Sequence, residues 1–124
     1  MSAFTELERA ALSSIFAEHL DLAPGLEDQL AGAIVTEREN TGGGFFTTIR
    51  VSDDARPVNG PRVLGHATSA NVEGLEHGLG FVLFMADGKL DLLEGFAWGP
   101  ENTAQLNLAD VCFNIFMAPL NRAD

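Results

Sequence analysis

The sequence has few basic residues, a single cysteine and no long apolar run. Its 124 residues hold 7 Lys+Arg against 18 Asp+Glu, so the formal net charge is −11. So few cations cannot supply the phosphate contacts that nucleic-acid binding needs, and we expect no nucleic-acid partner. No apolar run approaches the roughly 18 residues of a membrane span, and the N-terminus shows no secretory leader pattern. We therefore expect a cytoplasmic protein without membrane contact.

The lone cysteine limits both redox and metal chemistry. Cys112 excludes an intramolecular disulfide and a cysteine-rich zinc site. Its apolar neighbours, Val111 and Phe113, predict a buried, inert thiol. The loop with Glu73, Glu76 and His77 matches no established ligand spacing, so we expect no metal there and no cofactor elsewhere.

Hydrophobic spacing predicts a helix at the N-terminus. Apolar residues recur at helical intervals over residues 3–20, and Thr5 with Glu8 fits a capping box. Pro24 and Gly25 favour a turn after this helix. The length of 124 residues suits one domain, 1–124.

Two segments have the period of β-hairpins. Residues 33–51 centre on Gly42-Gly43, and residues 80–98 centre on Asp87-Gly88, a dipeptide typical of type I′ turns. The first register would pair Glu39 with Phe46, Glu37 with Thr48 and Val35 with Arg50. The second register would pair Met85 with Leu90, Leu83 with Leu92 and Phe81 with Glu94. Both faces of this hairpin are then apolar, and one helix covers only one face. The C-terminal segment or a second subunit would have to cover the other face, and from this we predict a homodimer.

The remaining segments complete the predicted sheet. Residues 52–61 read as a polar loop and residues 62–70 have β character. Residues 110–118 favour a last strand, although a short helix also fits. The prediction is an α+β fold, with an N-terminal helix packed on an antiparallel meander of about five or six strands.

Two stretches carry a resemblance to other proteins. Thr41 to Thr47 reads TGGGFFT and Gly80 to Phe96 reads GFVLFMADGKLDLLEGF. Over residues 38–99 the chain resembles a group of small bacterial α+β proteins with no assigned activity. The resemblance implies a helix followed by an antiparallel meander, and it implies no cofactor or catalytic residue.

Glu94 is the main candidate site residue. In the predicted hairpin it lies mid-strand among apolar side chains, where a charge is costly unless it is paired. It would either bind a ligand together with Arg50, Trp98 and Thr47, or only neutralise an arginine (Arg38 or Arg50) or bond to Thr47. No second catalytic group is fixed by spacing.

Three classes of function fit these observations. The first is a non-enzymatic interaction module that binds a protein partner; a specific version is an immunity-type protein that neutralises a basic toxin, which suits the −11 charge. The second is a small-molecule binder or enzyme with a pocket around Glu94. The third is a structural subunit without chemistry of its own.

Overall fold

The computed structural model describes residues 3–117, in which two helices cover one face of a seven-stranded antiparallel sheet. This confirms the α+β class. The elements are α1 (Glu6–Ala17), α2 (Ala23–Ala31), β1 (Ile34–Asn40), β2 (Gly44–Arg50), β3 (Val63–Leu64), β4 (Thr68–Val72), β5 (Leu79–Ala86), β6 (Lys89–Ala97) and β7 (Phe113–Met117).

The strands do not lie in chain order, as they would in a simple meander. The order across the sheet is β1-β2-β6-β5-β4-β7, and the short β3 also pairs with β5. The two hairpins thus meet through β2 and β6, which form the centre of the sheet together with β5. Within residues 3–117, no helix is long and apolar enough to cross a membrane.

The N-terminal helix is confirmed, and a second helix was missed. The Thr5 side chain accepts from the Glu8 amide while the Glu8 carboxylate accepts from the Thr5 amide, so the predicted capping box is present. Predicting a turn at Pro24 and Gly25 was wrong, because Pro24 lies in the first turn of α2. Proline is tolerated there, since the first helical amides have no acceptor within the helix.

The first hairpin keeps its predicted register near the turn and changes it further away. Glu39 lies opposite Phe46 and Glu37 opposite Thr48, as predicted. A bulge between Val35 and Glu37 then shifts β1 by one residue. Val35 consequently lies opposite Ile49, not Arg50.

A bulge also changes the second hairpin. Asp87 and Gly88 both have positive φ (53° and 78°), as a type I′ turn requires, and Met85 pairs with Leu90 as predicted. Beyond that pair the register shifts, so Leu83 lies opposite Leu93. The predicted pairs of Leu83 with Leu92 and of Phe81 with Glu94 were therefore wrong. Because side chains alternate along a strand, the shift exchanges the two faces of β6 from Leu92 onward.

The last described segment is a strand. Residues Phe113–Met117 pair with β4, so this segment forms a strand and not the short helix that also fitted the sequence. The predicted end of the strand at Ala118 lies outside the described residues. Predicting a buried Cys112 was wrong, because its side chain is exposed. It precedes Phe113, whose partly buried side chain packs against the core, and the alternation of an extended chain turns Cys112 the other way.

The core lies between the helices and one face of the sheet, called here the inner face. Helix α1 packs against β4, β5 and β7, and α2 packs against β6. The largest fully buried apolar side chains are Phe16, Phe81, Leu7, Leu12, Ile15, Leu26, Leu64, Leu79, Leu83 and Leu93. The opposite side of the sheet, the outer face, has no helix on it in the described chain.

Candidate functional site

The outer face carries a continuous set of apolar side chains. The strand register and the alternation of side chains along each strand put these residues on the outer face, and none of them is fully buried. They are Phe46, Val63, Val82, Phe84, Leu92, Phe96 and Trp98. Adjacent apolar side chains on four neighbouring strands make a patch of the kind that marks an interaction surface.

An aromatic pair closes one end of this patch. The rings of Phe96 and Trp98 pack edge to face, with 4.9 Å between their centroids. Both lie over Gly80 on the neighbouring strand, where an added Cβ would sit 2.6 Å from Phe96 and 2.7 Å from Trp98. A glycine is needed at position 80 because only a bare backbone leaves room for the two rings. Trp98 is nevertheless 47% exposed.

Glu94 lies in the middle of the patch. It is directly opposite Phe46 on β2 and Val82 on β5, with Leu92 and Phe96 two residues away on the same face of β6. Its side chain is half-buried, and across residues 3–117 it takes part in no hydrogen bond or ion pair. The sequence correctly placed this carboxylate among apolar residues, but the bulge puts it on the outer face.

Two grooves on the outer face carry an excess of carboxylates. The first contains Glu94, Asp91 and Arg62 beside Phe84, and the second runs along the Glu37 and Glu39 side of β1. The grooves meet at Phe46 and Leu92, which line both. Of the charged residues that line these two grooves, four are acidic and one is basic.

The four predicted ligand-binding residues do not converge. Glu94, Arg50 and Trp98 lie on the outer face, whereas Thr47 is fully buried on the inner face. Arg50 is four residues along β2 from Phe46, which lies opposite Glu94. At the rise of a β-strand, four residues correspond to roughly 13 Å. Trp98 lies about as far from Glu94 in the opposite direction.

The buried carboxylate that pairs with Arg38 and Thr47 is that of Glu8, a residue for which the sequence predicts only a role in the helix cap. Arg38 Nε donates to Glu8 Oε2 at 2.7 Å and its Nη2 donates to Oε1 at 2.8 Å. The Thr47 hydroxyl donates to Oε2 at 2.7 Å, and the Thr5 amide donates to Oε1. Every acceptor position of the carboxylate is thus used, which is the arrangement of a structural link between α1, β1 and β2.

Burial and hydrogen bonding act in opposite directions on Glu8. Burial raises its pKa, but the hydrogen bonds from Arg38, Thr47 and the Thr5 amide outweigh this and hold the pKa below its usual value. A glutamate that is ionised and fully bonded at neutral pH is poorly suited to proton transfer.

A small cavity lies next to this link. It has a volume of about 220 Å³, and Leu7, Phe45, Leu106 and Leu108 supply much of its wall, with Arg38 at one side. That volume lies below the range of about 300 Å³ and upward that is usual for ligand pockets. The Arg38 guanidinium is already held by Glu8 and by the Ala3 carbonyl.

The loop considered for metal binding is held together by a carboxylate. Glu101 accepts from the backbone amides of Glu76 and His77, the latter at 2.6 Å, and lies 3.1 Å from His77 Nδ1. In the described part of the chain, no three His, Cys, Asp or Glu side chains are grouped so that they could hold a metal ion.

The chain was compared with protein-family models, with curated proteins and with solved structures. None of the three comparisons gives a match.

Proposed function

We propose that this protein is a non-enzymatic interaction module that binds a basic partner protein through the outer face of its sheet. The observation that carries the proposal is the apolar patch centred on β2, β5 and β6, on which no helix of residues 3–117 packs. Two helices protect the inner face, yet seven apolar side chains remain at the outer surface. Burial of such a patch is the main driving force for protein association.

The charge of the patch indicates the chemistry of the partner. Glu37, Glu39, Asp91 and Glu94 border its grooves, against Arg62 alone. The chain as a whole carries −11, so a basic surface would be attracted at long range and matched at the rim. An immunity-type role, in which the partner is a basic toxin, is one specific form of this proposal.

The predicted homodimer would use the same surface. A second copy would cover the apolar side chains, but it would also bring two chains of charge −11 together, with their acidic grooves face to face. Charge therefore favours the basic partner over the second copy. A small-molecule site around Glu94 has less support, because the four side chains predicted for it lie far apart or on opposite faces.

A capture experiment tests the proposal. The tagged chain should retain a basic protein from native lysate at low salt and release it at high salt, since exposed charge pairs are screened. Phe84→Asp and Leu92→Asn should lose that protein, while Glu27→Gln, an exposed substitution on α2, should keep it. Circular dichroism checks that the variants are folded.

Two results would overturn the proposal. One is retention of the same protein by both outer-face variants, because the patch would then not be the docking surface. The other is sedimentation of the wild-type chain as a dimer that Phe84→Asp dissociates, because a second copy would then occupy the patch.

A further inference from the structure

The carboxylate of Glu94 differs from those of Glu8 and Glu18, which are also at least partly buried, in its hydrogen bonding. Glu8 accepts from Arg38, Thr47 and the Thr5 amide, and Glu18 accepts from the backbone amides of His66 and Ala67 and from the Thr68 hydroxyl. Glu94 has no such partner within residues 3–117. Intramolecular bonding therefore does not explain a carboxylate in the middle of the apolar patch.

Docking would make this unpaired carboxylate costly. While the outer face is in water, solvent reaches the half-buried Glu94 side chain. A partner that covers Phe46, Val82 and Phe96 would remove that water, and a desolvated carboxylate without a counter-charge opposes association. The partner must consequently bring a cation to this point, or Glu94 must be protonated when the complex forms.

From this we infer that Glu94 binds an arginine side chain of the partner, set within an apolar contact on the outer face. The inference rests on the proposed docking function and specifies its chemistry. Arginine fits better than lysine because its planar guanidinium bonds a carboxylate with two parallel hydrogen bonds and stacks on aromatic rings. Phe46 lies opposite Glu94 and Phe96 lies two residues along the strand, so rings flank the carboxylate in both directions.

The arginine of the same groove leaves this position free. Arg62 precedes β3, and its carbonyl accepts from the Met85 amide. Arg62 lines the groove but makes no ion pair with Glu94 in the described structure. An incoming cation would therefore not have to displace an existing one.

Defined peptides test the arginine contact directly. The probe is an acetylated, amidated pentapeptide, Leu-Leu-Arg-Leu-Leu, and its matched control replaces the arginine by citrulline, which has nearly the same shape and no charge. Trp98 is the single tryptophan and the chain has no tyrosine, so intrinsic fluorescence reports on the edge of the patch. Amide chemical shifts in labelled protein locate the bound peptide on the sheet.

The expected result has three parts. The arginine peptide should shift Trp98 emission and the amides of β2, β5 and β6, and the citrulline peptide should bind about tenfold more weakly. Glu94→Gln should lower the affinity for the arginine peptide by a similar factor. Glu27→Gln removes one charge far from the patch and should leave binding unchanged.

Three outcomes would overturn the inference: equal binding of the two peptides, equal binding by Glu94→Gln and the wild type, or no perturbation at millimolar peptide. The proposed function fails separately. If Phe84→Asp loses the protein captured from lysate while Glu94→Gln keeps it, the patch docks a partner but Glu94 does not hold its arginine.

Discussion

Replacing Glu8 by glutamine should destabilise the fold although the side chain keeps its shape. The carboxylate is 2% exposed and joins α1 to β1 and β2 through Arg38 and Thr47. Glutamine has one oxygen and one NH₂ group. Whichever way the amide is turned, its NH₂ group faces either the Arg38 Nη2 and Thr5 amide donors or the Arg38 Nε and Thr47 donors.

The size of the effect follows from the exposure of each group. The Arg38 side chain is 35% exposed, so losing its ion pair costs less than losing a fully buried pair. We expect this loss to cost about 2 kcal/mol. In either orientation a second donor, the Thr47 hydroxyl or the Thr5 amide, also loses its acceptor, at a cost of about 1 kcal/mol. We therefore expect a loss of about 3 kcal/mol in the free energy of unfolding, and a melting temperature lower by about 12 °C.

The measurement is urea and thermal unfolding at pH 7, followed by circular dichroism. Glu6→Gln is the matched control, because Glu6 lies in the same first turn of α1 and is exposed. If Glu8→Gln unfolds within about 0.5 kcal/mol of that control, the link contributes little and the reasoning is refuted.

The pH dependence gives an independent check. The pKa of Glu8 is lower in the folded protein than the ordinary value of 4.5, so its contribution is fully present above that value. It is lost as the pH falls through the folded pKa. The stability difference between the wild type and Glu8→Gln should accordingly shrink below about pH 4, whereas a constant difference would contradict this linkage.

Two further substitutions test other contacts in the fold. Gln29→Ala should lower the free energy of unfolding in urea by about 2 kcal/mol, because the buried side-chain amide donates to the Gly88 carbonyl and accepts from the Leu90 amide. A loss below about 0.5 kcal/mol would contradict this expectation. Gly78→Ala should lower the free energy of unfolding by more than about 2 kcal/mol, measured by thermal unfolding. Gly78 has a φ of 75°, and a Cβ there would clash with the Ala70 carbonyl oxygen. An unchanged melting temperature would refute this steric explanation.

The parts of the fold that were predicted correctly depend on neighbours close in sequence. The capping box joins two residues three positions apart, and the Asp87-Gly88 turn specifies its own backbone conformation. Helix α2 was missed because its first turn contains Pro24 and Gly25, residues that lower helix propensity. Packing of Leu26 and the three hydrogen bonds of the buried Gln29 side chain hold that helix in place.

The candidate site was predicted in part. Glu94 was identified because a charge among apolar residues is visible in the sequence, and Trp98 does lie on the same face. Thr47 was assigned to the site because the face of β2 on which it lies was not known from the sequence. It is next to Phe46, the partner of Glu94, but its side chain lies on the inner face and donates to Glu8. The capping pattern was the only sequence signal at Glu8, and it gave no indication of Arg38.

The sequence by itself determined the class of this fold, the turn of its second hairpin and the presence of apolar residues on both sides of β5 and β6. These properties follow from local periodicity and turn chemistry. Tertiary structure decided which side of the sheet each residue of β6 occupies, because one bulge at the turn-proximal end exchanges the faces of all residues beyond it. It also decided the strand order, and with it the face that no helix covers within residues 3–117, where Glu94 makes no hydrogen bond or ion pair with the described residues.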